Sequence, residues 1–150
     1  MGCTGNVAIV SAWAKVMSSR NLEDLSHDMM RMATVHKQLC KAKGIELLIY
    51  CTLRSNEEQD ALYEIGRTKS GKIVTNARAG QSAHNPDEFG KSHAYDCCPM
   101  ISGKPMWDEK HPSWKIAGHC GEEAGLIWSG RWSGKLKETC HFQNPKWGKP

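Results

Sequence analysis

A helical stripe that runs straight into a buried strand sets most of what this 150-residue chain can become. Leu22, Leu25, Met29, Met32, Val35 and Leu39 recur at spacings of three and four. On a helix of 3.6 residues per turn that spacing puts all six on one face. Asn21 is the expected N-cap, with Glu23 and Asp24 in the first turn where the helix dipole favours acids. Gly44 is the expected C-terminal stop. The methionines of the stripe read as core. Residues 45–53 follow at once, nearly continuous in apolarity through Ile45, Leu47, Leu48, Ile49 and Tyr50, as a strand covered on both faces would be.

Further along, Asn56 is expected to cap a second helix carrying Leu62 and Ile65 and stopping near Gly66. Residues 68–85 form a polar, glycine-containing loop long enough to suspect a function. A strand is expected over 92–100, a turn at Gly103 and a short return strand over 105–107. Pro112 then opens a helix through Trp114, Ile116 and Ala117 to Gly125. Two more strands are expected, at 126–128 and 141–143. Helices and strands mix without a regular βαβ alternation, so the expected class is α+β. The length suits one domain over 1–150, with 1–20 a lead-in that has room for one short helix.

Composition removes several function classes. Apolar residues make up 39% and charged residues 24%, and six tryptophans help supply a core, so disorder is not expected. No apolar run approaches the ~18 residues that span a bilayer. The segment 7–13 is short and has no basic stretch ahead of it, so it reads as neither membrane span nor signal peptide. Asn6 stands where a myristoylation site wants Ser or Thr. The chain is therefore expected to be made in a cytoplasm and carried outside, if it works there, by something else. The net charge of +4 serves solubility or an anionic partner, nucleic acid and cell wall both qualifying. Its basic residues are scattered, and no nucleic-acid groove is indicated. Seven cysteines, an odd number without a CxxC pair, argue against a disulfide framework and against a structural zinc knuckle. Cys40, Cys51 and Cys120 lie within apolar patterns and read as small buried hydrophobes in a protein made in a reducing compartment.

Chemistry concentrates at His84, Asp96 and His141. Two imidazoles and one carboxylate suit zinc, and three protein ligands leave a fourth position open for water, as a catalytic zinc requires. Spacing alone does not separate this set from ordinary core and surface histidines. The surroundings do more. Gln81-Ser82-Ala83-His84-Asn85 and Ser92-His93-Ala94-Tyr95-Asp96 resemble the two halves of the M15 peptidase signature SxHxxGxAxD. Glu138-Thr139-Cys140-His141-Phe142 resembles that family's second signature, an acid followed after two intervening residues by a His-aromatic pair. The segment from Gly125-Leu126-Ile127-Trp128 through Ser129-Gly130-Arg131-Trp132 is similar to the Gly/Trp stretch preceding this site in phage endolysins. Upstream, Thr52-Leu53-Arg54-Ser55, Gln59, Leu62-Tyr63 and Gly66-Arg67-Thr68 match the strand–Arg–helix entry of the same group. The resemblance covers residues 21–144, most of the chain.

The resemblance implies a Hedgehog/DD-peptidase-type fold, a small antiparallel sheet flanked by helices with zinc on one sheet face. It implies that His84, Asp96 and His141 hold Zn2+ and that Glu138 is the general base, taking a proton from the attacking water and passing it to the leaving amine. Arg54, just after a strand, would steady the oxyanion or a substrate carboxylate; the plainer reading is a strand-end cap or a pair with Glu57 or Glu58. Ser82 would bind substrate or support a ligand. The implied substrate is the peptide stem of peptidoglycan, cut between L-alanine and D-glutamate, by a monomeric phage endolysin that reaches the periplasm from the host cytoplasm at lysis without its own signal peptide. A D-alanyl-D-alanine carboxypeptidase and a non-catalytic zinc module that binds the wall are the alternatives.

Two departures from the family pattern stand out. Asp96 lies twelve positions after His84, against seven in the signature, so residues 86–90 read as a loop insertion, in which Asp87 and Glu88 could take calcium. Ser92 also replaces the family glycine. On a strand Ser92, Ala94 and Asp96 share one face and His93 points to the other, which disfavours His93 as a ligand. His27, His36, His111 and His119 read as surface or core, and Trp128 and Trp132 as packing rather than sugar-stacking platforms. Cys140 beside His141 does not read as a cysteine protease, since adjacent residues rarely face each other.

Overall fold

Helix α1, His27–Ala42, lays its buried face of Met29, Met32, Ala33, His36 and Cys40 on the sheet. The structure, a computed structural model, describes residues 18–148. The expected short helix in the lead-in and the segment 7–13 fall almost wholly outside them. The helix begins later than the periodicity suggests. Asn21 caps only a 3₁₀ turn, Leu22–Asp24, through a bond from Glu23 N, and Ser26 caps α1 by accepting from Met29 N. Tertiary pairing interrupts the stripe: Ser92 N donates to Asp24 O and Ser26 N to Ser92 O, which holds the chain extended around Leu25. At the far end Lys43 closes the helix and Gly44 follows in the left-handed region.

Strand β1 is Glu46–Cys51 and helix α2 is Asn56–Glu64. The N-cap of α2 is Ser55, one residue earlier than expected. Its hydroxyl accepts from Glu58 N while the Glu58 carboxylate accepts from Ser55 N, a capping box. Residues 65–93 hold no regular element, as expected of a functional loop. Strand β2, Ala94–Ile101, turns through Ser102 and Gly103 into β3, Lys104–Pro105. Both turn residues have positive φ, the requirement of the two-residue hairpin turn that matches strand twist. Ser102 is the one non-glycine among the described residues in that region. Ser92 is not, so the backbone there does not need the family's glycine. Helix α3, Pro112–Glu123, starts with Pro at its first position behind a His111 cap. Strands β4, Ile127–Trp128, and β5, His141–Gln143, complete the set.

Among the described residues the strands of the sheet all pair antiparallel, in the order β1-β2-β5-β4 with β3 on β2. Strand β2 is central and buried from Ala94 to Pro99. Alternation sends Tyr95 and Cys97 to the face covered by α1 and α3, with Phe142 from β5, and sends Asp96 and Cys98 to the other. Close approach of α3 depends on glycine: a Cβ on Gly121 would lie 2.3 Å from the Phe142 ring, and one on Gly118 would lie 2.4 Å from Trp128. The class is α+β, as expected, with three α-helices among the described residues.

Cys40, Cys51 and Cys120 are buried free thiols, as read from the pattern. Cys140 is disulfide-bonded, where the odd count had argued against a disulfide framework. An odd cysteine count excludes complete pairing, not a single bridge. No helix among the described residues is long and apolar enough to cross a membrane.

Candidate metal centre

Sheet register places two of the predicted ligands side by side. Asp96 on β2 is the cross-strand partner of His141 on β5. The third, His84, comes from the long loop, whose return is tied down by backbone bonds from Arg54 N to His84 O and from His93 N to Ala83 O. Beyond these, Ser82 Oγ accepts from His84 N, Asn85 Oδ1 accepts from Ser82 N, and Asn85 Nδ2 donates to Arg54 O. A bulge in β1 between Ile49 and Cys51 shifts the register so that Cys51 faces Asp96. Bulges beside active sites commonly re-aim the chain in this way.

The result is a triangle. His84 Nε2, His141 Nδ1 and Asp96 Oδ1 stand 3.2 Å from one another on every side. Each imidazole is oriented from behind: His84 Nδ1 donates to Thr52 O at 2.8 Å and His141 Nε2 donates to Gln143 Oε1 at 2.9 Å. With those nitrogens carrying their protons outward, the inner nitrogens present lone pairs to the carboxylate oxygen, the arrangement by which proteins aim metal-ligating histidines. Zinc at about 2.0–2.1 Å from tetrahedral N and O ligands would space them about 3.3 Å apart. The donor set and its dimensions therefore fit zinc. Asp96 Oδ2 has no hydrogen bond and lies 3.9 Å from an Arg54 nitrogen.

The charges within the triangle are strongly coupled. Burial opposes a charge on His84, but Asp96 beside it prevails and lifts the imidazole to about 10. Burial likewise opposes the Asp96 carboxylate, and the His84 charge with the bonds to both histidines holds it well below the usual range. His141 is lowered by burial, with Asp96 pulling the other way.

Two other donors come close. Cys51 Sγ shares a cluster with His84 and Asp96, but it faces His84 Nδ1, at 3.8 Å, behind the ring. Cys140 lies with Asp96 and Glu138, but its disulfide leaves no thiolate to bind metal. The open side of the triangle faces a small cavity of about 50 Å3, lined by the three ligands with Arg54, Thr75, Ser82 and Glu138. Glu138 Oε2 is 4.0 Å from His141 Nδ1. His84, Asp96, His141, Glu138, Arg54 and Ser82, the residues given roles from the sequence, meet here. Thr75, Thr52 and Gln143 were not singled out. Gln143 could have been read from its position two residues after His141 on one strand, whereas Thr52 acts through a carbonyl and carries no sequence signal.

His93 is no ligand: its Nε2 lies 2.8 Å from Asp87 Oδ2. Asp87 Oδ1 accepts from Phe89 N and Lys91 N, so this carboxylate organises the inserted loop, which works against the calcium reading. One nitrogen of Arg54 donates to Gln59 Oε1 at 3.1 Å. Trp128 is packing, buried with its Nε1 donating to Thr139 O. Trp132 is 36% exposed, its ring 5.9 Å from that of His141, which departs from a packing role.

A loop-borne histidine joined to an Asp–His strand pair is a donor set that could hold a metal ion with one position left open. No family model matches the chain. It is 32% identical over 127 residues, 80% of its length, to the peptidoglycan L-alanyl-D-glutamate endopeptidase CwlK of Bacillus subtilis, covering 73% of that protein. Its fold matches the L-Ala D-Glu endopeptidase ChiX of Serratia marcescens, with TM-score 0.57 and 22% identity over 87% of this chain and 90% of that one. The LD-carboxypeptidase LdcB matches with TM-score 0.62 and 16% identity, over 86% of this chain and 63% of that one. The chain belongs to the M15 family of peptidoglycan peptidases.

Proposed function

We propose that the chain is a zinc-dependent endopeptidase that hydrolyses the peptidoglycan stem between L-alanine and D-glutamate. The observation that carries the reading is the 3.2 Å triangle of His84, Asp96 and His141, opening on a cavity that holds one acid and one guanidinium. The L-alanyl-D-glutamate endopeptidase activity for which CwlK and ChiX are named supports the choice of bond.

When bound, zinc supplies Lewis acidity toward the scissile carbonyl and toward water. The chain's own residues do the rest. His84, Asp96 and His141 hold the ion and leave one side open to the cavity. Glu138, beside that opening, takes the proton from the attacking water and returns it to the leaving amine. Arg54, held by Gln59, puts a fixed positive charge where substrate charge gathers. Ser82 fixes the turn that presents His84 and reaches the cavity wall. The proposal extends to a monomeric phage lysis enzyme that meets the wall once the host membrane has been breached.

Digestion of purified peptidoglycan, followed by mass analysis of the fragments, tests the reading. The expected products carry a new N-terminal D-glutamate, and a chelator abolishes them. Release of free D-alanine instead would replace this reading with the carboxypeptidase one, and absence of any cleavage would leave a wall-binding module.

A further inference from the structure

Thr75 comes from the loop ahead of His84 and lines the same cavity as Arg54. Its hydroxyl oxygen is fully occupied as an acceptor: Ala77 N donates to it at 3.1 Å and Gln59 Nε2 at 3.4 Å. A threonine hydroxyl has two acceptor sites and one donor. With both acceptor sites taken, the O–H is left to donate. The residue that imposes this is Gln59, fully buried on α2. Its Oε1 accepts from Arg54, and its Nε2 also donates to Ala77 O at 2.8 Å. One amide therefore holds the guanidinium and the threonine in a common frame. Arginine also only donates. This corner of the cavity offers donors to a substrate group.

Resting on the function proposed above, we infer that Thr75 and Arg54 together bind the free α-carboxylate of the D-glutamate residue, making the enzyme selective for stems in which that group is not amidated. In a γ-linked stem this carboxylate hangs from the carbon that bears the scissile nitrogen, so it enters the cavity with the bond to be cut. A carboxylate accepts from both groups. A carboxamide in its place would point an NH2 at a partner that cannot accept, leaving a desolvated donor unpaired, the situation in which sites discriminate most strongly.

The test uses zinc-loaded enzyme and two synthetic stems, L-Ala-γ-D-Glu-diaminopimelate with the D-Glu α-carboxyl free and the same peptide with it amidated. Wild type is expected to favour the free acid at least tenfold in kcat/KM. Thr75→Val should lose about tenfold on the free acid, mainly through KM, and little on the amide, while zinc content and melting temperature hold. Thr75→Ser, which restores the hydroxyl, should recover the loss. Equal wild-type rates on the two stems would overturn the inference without any variant. So would a Thr75→Val enzyme that matches wild type or loses equally on both. Wild type inert on both stems would bring down the functional reading, and this inference with it; an active but unselective wild type brings down the inference alone.

Discussion

His84 Nε2 and His141 Nδ1 stand 3.2 Å apart, and each ring is turned to that position by the bond its far nitrogen donates, to Thr52 O and to Gln143 Oε1. Metal binding at the proposed site would thus depend on residues that do not touch the ion. Gln143→Leu removes the acceptor behind His141 while leaving a side chain of similar size. Its expected effect is a zinc affinity weaker by roughly 10–100-fold, read by competition with a chromophoric chelator.

Glu138 lines the cavity but contributes no donor to the triangle. Glu138→Gln keeps the shape and removes the base. Zinc content should match wild type while turnover falls at least ~100-fold, the usual contribution of general acid–base catalysis. A fully active variant would take Glu138 out of the mechanism.

His36 gives the stability a pH dependence of its own. It is buried between α1 and the sheet, where its Nε2 donates to Ala117 O and its Nδ1 accepts from Tyr95 Oη. Burial lowers its pKa from 6.5 to about 4, against the opposing pull of the Ala117 bond. Between those values the unfolded chain takes up a proton that the folded chain refuses. Stability from this group is complete above about 6.5 and is lost as the pH falls toward about 4. The shift corresponds to about 3 kcal/mol. Urea unfolding of wild type and His36→Gln at a series of pH values should give a shallower acid slope for the variant.

Gly121→Ala sets two effects against each other. Alanine gains up to ~1 kcal/mol of helix propensity, but its Cβ would press on the Phe142 ring at 2.3 Å. Overpacking of that kind costs about 1–3 kcal/mol. A net loss of about 1–2 kcal/mol is expected in chemical denaturation, with reduced activity as well, because Phe142 adjoins His141 on β5.

What the sequence made legible follows the physics. Strong local signals were read nearly in register: the α1 stripe with its Gly44 stop, Pro112 at the start of α3, and the 141–143 strand, which matches β5 residue for residue. Boundaries set by tertiary contacts were not. The Leu25–Ser92 pairing that delays the start of the helix joins segments far apart in sequence, so periodicity could not foresee it. Ser55 rather than Asn56 is the cap of α2 because Glu58 stands three residues on and completes the reciprocal bond. At the site, ligand-type side chains announced themselves through their motifs. The carbonyl of Thr52, the bulge at Tyr50 and the acceptor state of Thr75 depend on backbone placement that residue types do not encode.

The central claim is that one zinc ion is held by His84, Asp96 and His141. Elemental analysis of exhaustively dialysed wild type and Asp96→Asn, with circular dichroism to confirm folding, tests it most directly. About one zinc per wild-type chain is predicted, with little or none in the variant, since a neutral amide replaces the anionic ligand. Wild type that cleaves peptidoglycan while free of metal, or a folded Asp96→Asn that retains its zinc, would contradict it.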